Sequence, residues 1–441
     1  MLLGGLQLAF LMAPPTRRGA SPTFADIKPE TIRGTAGFFR LGRTHEGIWW
    51  LLTPEDEPVL LRAVAGVNRH GRAGPPSARR GAYARNVGRL FGADAAGAQA
   101  WARHTATRLH DWAVDTVGPW ADSELVGLGF YFTALADFCR ADTPILHGPG
   151  VRLPDVFDAR WPVAAVARPW FGRRELVGWF TDDELAWGDV DPTRPGLFQV
   201  CLSLEPSFAA HHAAWEFALA ANGGTLEALS ARWGVELVHR EHVRQFTREE
   251  RGIAGAAFAE DAARFEREFA RRYFATAARA LRSADPSHLV LGCRFASSPP
   301  EAIRSACVAP DVDAVSWRLH AGARFAAQAR ACAGAEPQWV TGGGLSHGDF
   351  KRLPLRGGTG PTRLERLLRA GREGLVAACR DSRTVGIEWA HWADGGDDAP
   401  PFGAGLVHED DHEAVEHTEL LMHIHARART LHARGRRTAA G

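Results

Sequence analysis

Eight short apolar runs, spaced by segments with helical patterning, constrain the fold more than any other feature of this 441-residue chain. They are Val59–Val67, Ala113–Gly118, Val126–Phe132, Leu176–Phe180, Leu289–Phe295, Ala314–Trp317, Gln338–Thr341 and Thr384–Trp389. Apolar strands that alternate with helices pair in parallel, because each crossover helix covers a face of the sheet. Eight such units close a (β/α)8 barrel, and the length suits one enlarged barrel. The predicted fold class is therefore α/β: a TIM barrel in a single domain over residues 36–432, with tails at 1–35 and 433–441. The N-terminal tail is expected to be disordered or a degenerate signal. Roughly a hundred residues separate the fourth and fifth runs, too many for a simple connection, and mark an enlarged helical insertion. Within it Phe265, Phe269, Tyr273 and Ala277 recur every four residues, an amphipathic helix, and Gly223-Gly224 would stop the helix carrying Trp215 and Phe217. The Gly71–Gly81 stretch, with Pro75-Pro76, reads as an exposed loop.

Several runs end in polar or aromatic residues: Asn68, Trp120, Arg294, His320 and Glu388. Catalytic groups of this fold collect at the carboxyl ends of its strands. The fourth run is the most telling. Leu176–Phe180 stops at Asp182, Asp183 and Glu184, flanked by Trp179 and Trp187. Clustered carboxylates at a strand end, beside flat aromatic rings that suit sugars, point to glycosidic-bond chemistry.

The charge balance, 52 basic against 51 acidic residues, leaves no electrostatic footprint for nucleic acid or an anionic membrane. The six cysteines form no CxxC pair, so buried thiols are expected, with neither a zinc site nor a disulfide framework. Met1–Ala13 is apolar but lacks a basic n-region and is shorter than the roughly 20 residues of a membrane span, which leaves localisation, cytoplasmic or secreted, open.

At the level of whole blocks the chain resembles the β-agarases of glycoside hydrolase family fifty and related barrels of the retaining clan A. The blocks are Glu46–Pro54, Gly66–Asn68, Asp115–Asp122, Leu153–Asp158, Val177–Trp187, Asp285–Ala296, Val385–Trp389 and Gly405–Val407, in the expected order. The resemblance implies a retaining mechanism, with an acid/base glutamate after the fourth strand and a nucleophilic glutamate after the seventh. Glu184 falls on the first position, preceded by Asp183 where the family has Asn. The seventh block runs Pro337-Gln-Trp-Val-Thr-Gly342-Gly-Gly344, with Gly342 where the nucleophile belongs. His320 stands where the family places a tyrosine. Glycine supplies neither charge nor a nucleophile, so covalent catalysis of the family kind has no group to run on at position 342.

Glu388 reads two ways: as a replacement base that activates water with inversion, or as a carboxylate buried against Arg294 or Arg318. Asp183 and Asp394 are weaker candidates for the base. His320 is a base, a sugar-binding donor, or a hydrogen-bonded structural residue. The resemblance makes Trp389 and Trp392 a stacking platform. His408, His412, His417, His423, His425 and His432 match no compact ligand set and are assigned to an amphipathic helix rather than a metal site. Gly342-Gly343-Gly344 lacks the Lys-Ser/Thr of a phosphate loop. The expected function is action on a galactose-containing or related polysaccharide, with Glu184 as general acid, Asn68, Asp183, Arg294 and His320 on sugar hydroxyls, and Trp120, Trp389 and Trp392 stacking. The alternative is a catalytically inactive carbohydrate-binding barrel. Neither reading requires a metal or organic cofactor.

Overall fold

The computed structural model describes residues 21–71, 81–140, 143–161, 170–188, 191–296, 299–318, 336–341, 363–394 and 405–435. His320, Gly342, Cys332 and most of the 71–81 loop lie outside them.

The chain opens with two 3₁₀ turns, Phe24–Asp26 and Pro29–Thr31, and an antiparallel sheet of β1 (Arg40–Arg43), β2 (Trp49–Leu52) and β3 (Pro58–Val59). Bridges from Ile27 to Thr44 and from Arg33 to Leu41 tie residues 27–33 onto this sheet, so the segment expected as tail through residue 35 is structured from Phe24 onward. Then come β4 (Leu61–Val64), α1 (Ala82–Phe91), α2 (Ala95–Asp111), β5 (Thr116–Val117), β6 (Tyr131–Leu135), the hairpin β7 (Ile145–Gly148) and β8 (Val151–Pro154), β9 (Leu176–Phe180) and β10 (Ala186–Trp187). Five helices follow: α3 (Leu197–Ser203), α4 (Ala209–Ala221), α5 (Leu226–Trp233), α6 (Glu241–Arg248) and α7 (Ala256–Ala284). The chain continues with β11 (Leu289–Val290), β12 (Arg294–Phe295), α8 (Glu301–Arg304), β13 (Val315–Arg318), β14 (Gln338–Thr341), α9 (Arg363–Arg380), β15 (Thr384–Trp389) and α10 (Val415–Ala433).

Nine strands form one curled parallel sheet in the order β11-β9-β6-β5-β4-β15-β14-β13-β12. Its two end strands are halves of a single run, Leu289–Phe295, interrupted at Leu291–Cys293. Each of the eight predicted runs holds a strand of this sheet or overlaps one. Gly178 marks why the fourth position is tolerant of so little: a Cβ there would lie 2.5 Å from the Leu289 carbonyl oxygen of β11. Apart from Val59 of β3, which begins the first predicted run, the antiparallel sheets β1–β3 and β7–β8–β10 have no counterpart among the predicted runs.

Two apolar clusters follow from the alternation of side chains along strands. One joins Leu61, Ala63, Val177, Phe180, Leu289, Ala314, Trp339 and Val385 of the curled sheet to Phe39, Leu41, Trp49 and Leu51 of the first sheet. The other, larger cluster lies between the curled sheet and the helices. The four-residue spacing in α7 behaves as predicted: Phe265, Phe269, Tyr273 and Ala277 are all buried, and α4 ends before Gly223-Gly224. No helix among the described residues is long and apolar enough to cross a membrane.

Candidate active site

The acids after β9 are ordered by the neighbouring strand. Arg294 N donates to Asp182 O at 2.9 Å and Glu184 N donates to Arg294 O at 2.8 Å, which extends the parallel ladder past the regular strand. Three consecutive side chains on such a backbone point different ways, and the three acids accordingly meet different partners.

Asp182 turns into the core. Cys139 N donates to its Oδ1 at 2.7 Å and the Tyr273 hydroxyl of α7 to its Oδ2 at 2.5 Å. Burial pushes its carboxyl up to about 7, against the lowering effect of those two bonds. Asp183 meets Arg294, whose Nη1 donates to Oδ1 at 2.7 Å. Burial raises the Asp183 carboxyl, while the Arg294 charge pulls the other way. Glu184 faces outward on a left-handed backbone, φ +47°, a conformation that non-glycine residues adopt at a cost and that clusters at functional sites. Its side chain is 47% exposed and accepts from Arg318 Nη1 at 2.5 Å.

Arg294 is the hub of the site. Its second nitrogen, Nη2, pairs with Glu388 Oε1, and its guanidinium lies over the rings of Trp120 and Phe180 at 5.3 and 5.5 Å. Burial opposes the Arg294 charge, but Glu388 and Asp183 together hold its pKa above the usual value. Glu388 is fully buried, and burial raises its carboxyl despite Arg294. Gly118 leaves the room it occupies: a Cβ there would come within 2.6 Å of Glu388 Oε2. That oxygen has no hydrogen-bond partner among the described residues, nor do Arg294 Nε and Trp339 Nε1, although the Trp339 indole is near enough to pull the Glu388 carboxyl slightly down.

Asn68 Nδ2 donates to the Trp120 carbonyl at 2.8 Å, and Trp120 itself is half-buried at φ +64°. Of the two pairings foreseen for Glu388, the structure makes the one with Arg294; Arg318 goes to Glu184. The aromatic expectations need correction. Trp179 and Trp187, read as sugar-facing rings, are buried, Trp179 donating to Asp285 Oδ2 at 3.0 Å and Trp187 stacked on Phe274. Trp389 and Trp392, assigned to a stacking platform, are 2% and 1% exposed. Trp392 packs against Trp101 and Trp112 and donates to the Tyr83 hydroxyl at 2.8 Å, so its faces are spent on the core. Trp389 is tilted against His417.

Sequence reasoning missed His391, two residues beyond Trp389. Burial depresses its pKa to about 4, with the Arg318 charge second, so the imidazole is neutral at ordinary pH beside the Glu184–Arg318 pair. A lone histidine past a strand end carries no spacing signal by which it could have been found. The C-terminal histidines disperse to separate partners: His408 to Asp394, His417 to the Gly405 carbonyl, His425 to that of Trp112. No group of three or more His, Cys, Asp or Glu among the described residues could hold a metal, and the five described cysteines are buried and form no disulfide among the described residues.

No protein-family profile matches the chain. Two curated relatives do. β-Agarase B of Vibrio sp. (strain JT0107) is 28% identical over 300 residues, covering 62% of this chain and 30% of that protein. β-Agarase A of the same strain is 27% identical over 245 residues, covering 50% and 24%. The chain is agarase-like. Its match spans less than a third of either relative's own length. The fold agrees with solved structures at lower identity: PfGH50B has a TM-score of 0.70 at 17% identity, over 91% of the agarase-like chain and 67% of PfGH50B. An exo-β-agarase has 0.69 at 17%, over 92% and 66%, and the agarase AgWH50C 0.64 at 19%, over 93% and 67%.

Proposed function

We propose that this glycoside hydrolase-like chain acts on the O-glycosidic bonds of a galactose-containing or related polysaccharide, with Glu184 as the proton donor to the leaving oxygen. The observation that carries the reading is Glu184 itself: an accessible carboxylate on a left-handed backbone at the exit of β9, with Arg318 as its partner. Arg294 Nε, buried and without a hydrogen-bond partner among the described residues, supports a polar ligand nearby, since buried polar groups without partners are rare in folded proteins. Glu388 is assigned to fixing Arg294 rather than to activating water: it is sealed from solvent and its Oε1 is already paired with Arg294. Asp183 and Arg294 are assigned to sugar hydroxyls, with Asn68 holding Trp120 at the rim.

Gly342 supplies no carboxylate to attack the anomeric carbon, so the proton-donor half of a retaining site stands without its other half. Protonation of the leaving oxygen by Glu184 then needs an external nucleophile. An activated aryl galactoside is expected to turn over slowly and to be rescued by azide or formate. Azide entering from the face opposite Glu184 bonds to the anomeric carbon as that carbon's bond to the aryloxy oxygen breaks and the phenol leaves, giving a glycosyl azide of inverted configuration. Replacing Glu184 by Gln should lower the rate on an unactivated agaro-oligosaccharide by roughly 10²–10⁴, the usual contribution of a general acid. Failure of both anions to restore turnover in the folded protein, together with an unchanged rate in Glu184→Gln, would sink the reading. A protein that binds agaro-oligosaccharides without any turnover would instead be the inactive carbohydrate-binding barrel.

A further inference from the structure

At the other end of the curled sheet, where Thr384–Trp389 begins, lies a groove of about 880 Å³. It is lined by Lys28, Arg43, His45, Glu46, Ser382 and Arg434, with short backbone stretches between them. We propose that this groove binds a tetrahedral oxyanion, sulfate or phosphate, free or esterified to a sugar.

The argument begins with charge. Lys28, Arg43 and Arg434 bring three cations to one concavity, and none has a carboxylate partner among the described residues. Elsewhere in the molecule arginines are routinely paired: Arg33 with Glu336, Arg62 with Asp115 and Arg383 with Asp381. Cations gathered in a concavity repel one another and raise the local concentration of anions. Among the described lining residues only Glu46 opposes them.

The second observation is hydrogen bonding. Ser382 is almost wholly buried, and its hydroxyl has no partner among the described residues. Arg43 Nε is likewise buried and unpartnered, although its guanidinium is held over the Trp49 ring at 5.6 Å. Buried donors of this kind are normally satisfied, and an oxyanion supplies the acceptors they lack.

The third is rigidity. The lining comes from four distant parts of the chain, and backbone bonds fix them together. Lys28 N donates to Arg43 O at 2.9 Å, Trp49 N to Ser382 O at 2.7 Å, and Gly435 N to His432 O at 2.7 Å. His432 Nε2 lies 2.7 Å from Trp49 O and locks the end of α10 onto β2. The backbone that carries the cations is thus fixed before any ligand arrives, which removes part of the ordering cost of binding. Nothing in this argument depends on the chemistry proposed for Glu184, which sits at the opposite end of the strands.

Titration calorimetry on the full chain tests the proposal, with sodium sulfate, sodium phosphate and a hexose 6-sulfate each run against sodium chloride at matched ionic strength. Sulfate or phosphate should bind where chloride does not. Lys28→Gln combined with Arg434→Gln should weaken binding about tenfold or more, the loss of one strong charge-assisted contact, and Glu46→Gln should tighten it several-fold. Arg43→Gln should weaken it further, but Arg43 also stacks on Trp49, so the Lys28/Arg434 pair, checked by an unchanged thermal transition, is decisive. Tighter binding of the hexose sulfate than of the inorganic ion, with no binding of the unsulfated hexose, assigns the site to a saccharide-borne group; the reverse assigns it to the free ion. No heat from any oxyanion with the wild-type chain, equal displacement by chloride, or undiminished affinity in the Lys28/Arg434 variant would overturn it.

Discussion

Two arginines at the upper rim of the sheet, Arg294 and Arg318, each hold a carboxylate, and they do so in opposite surroundings. Arg294 is buried, grips Asp183 and Glu388 together, and is sandwiched by Trp120 and Phe180. Arg318 is a quarter exposed and holds the half-exposed Glu184 alone. A buried pair survives only because each charge neutralises the other where water cannot, so it is rigid and costly to break. An exposed pair exchanges readily with water and is worth little. The contrast separates frame from moving part. Arg294 and Glu388 set the shape of the site, while the Glu184–Arg318 contact is one that a sugar can enter and displace.

The largest effect should come from breaking the frame. Arg294→Met leaves the buried Glu388 and the partly buried Asp183 without their cation, and should cost about 3–5 kcal/mol in chemical denaturation. The loss should shrink at low pH, because the orphaned carboxyls then take up protons that the folded state favours. Adding Glu388→Leu should recover much of it, since removing both partners avoids the unpaired charge. A single variant that unfolds within 1 kcal/mol of wild type, on the scale of exposed pairs, would mean that Arg294 is no frame at all.

A second test uses Asp182, the one acid of the cluster that faces the core. Burial raises its carboxyl to about 7, so the folded chain holds a proton that the unfolded chain releases near 4. Its contribution is complete below about pH 4, declines as pH rises, and is gone above about 7. His391 and His425, both lowered to about 4 chiefly by burial, act with the opposite sign: they destabilise as pH falls from about 6.5 to 4. The informative quantity is therefore the difference between the wild type and Asp182→Asn. The wild type should lose stability relative to the variant as pH rises from about 4 to 7, by on the order of a few kcal/mol. Parallel pH profiles would place Asp182 outside the core group that Tyr273 and Cys139 define.

These contrasts also mark what the sequence could and could not show. The eight runs were legible because parallel strands buried on both faces must be apolar throughout, and Leu176–Phe180 is buried at all five positions. Arg40–Arg43 escaped notice for the converse reason: a four-residue edge strand with arginine at both ends has no apolar signature. The acid cluster was legible as a cluster, but not its division of labour, which depends on Tyr273 from α7 and on Arg294, each about ninety residues or more away in the chain. Tryptophans were the least legible. A ring at a strand end looks the same whether it meets a sugar or a core, and for Trp392 the deciding partner is Tyr83, 309 positions earlier.

The smallest stability effect, and the most discriminating for function, belongs to Arg318. Arg318→Gln should change the unfolding free energy by less than about 1 kcal/mol, the usual ceiling for a pair that water can reach. The same substitution frees Glu184 and removes one of the charges that hold His391 neutral, so its effect on sugar handling should far exceed its effect on folding. If Arg318 merely occupies Glu184 until a sugar displaces it, oligosaccharide affinity should rise in the variant, because the ligand no longer competes with the guanidinium. If Arg318 itself touches the sugar, affinity should fall with stability unchanged. A large drop in stability would put Arg318 in the same class as Arg294, and the division between frame and moving part would be lost.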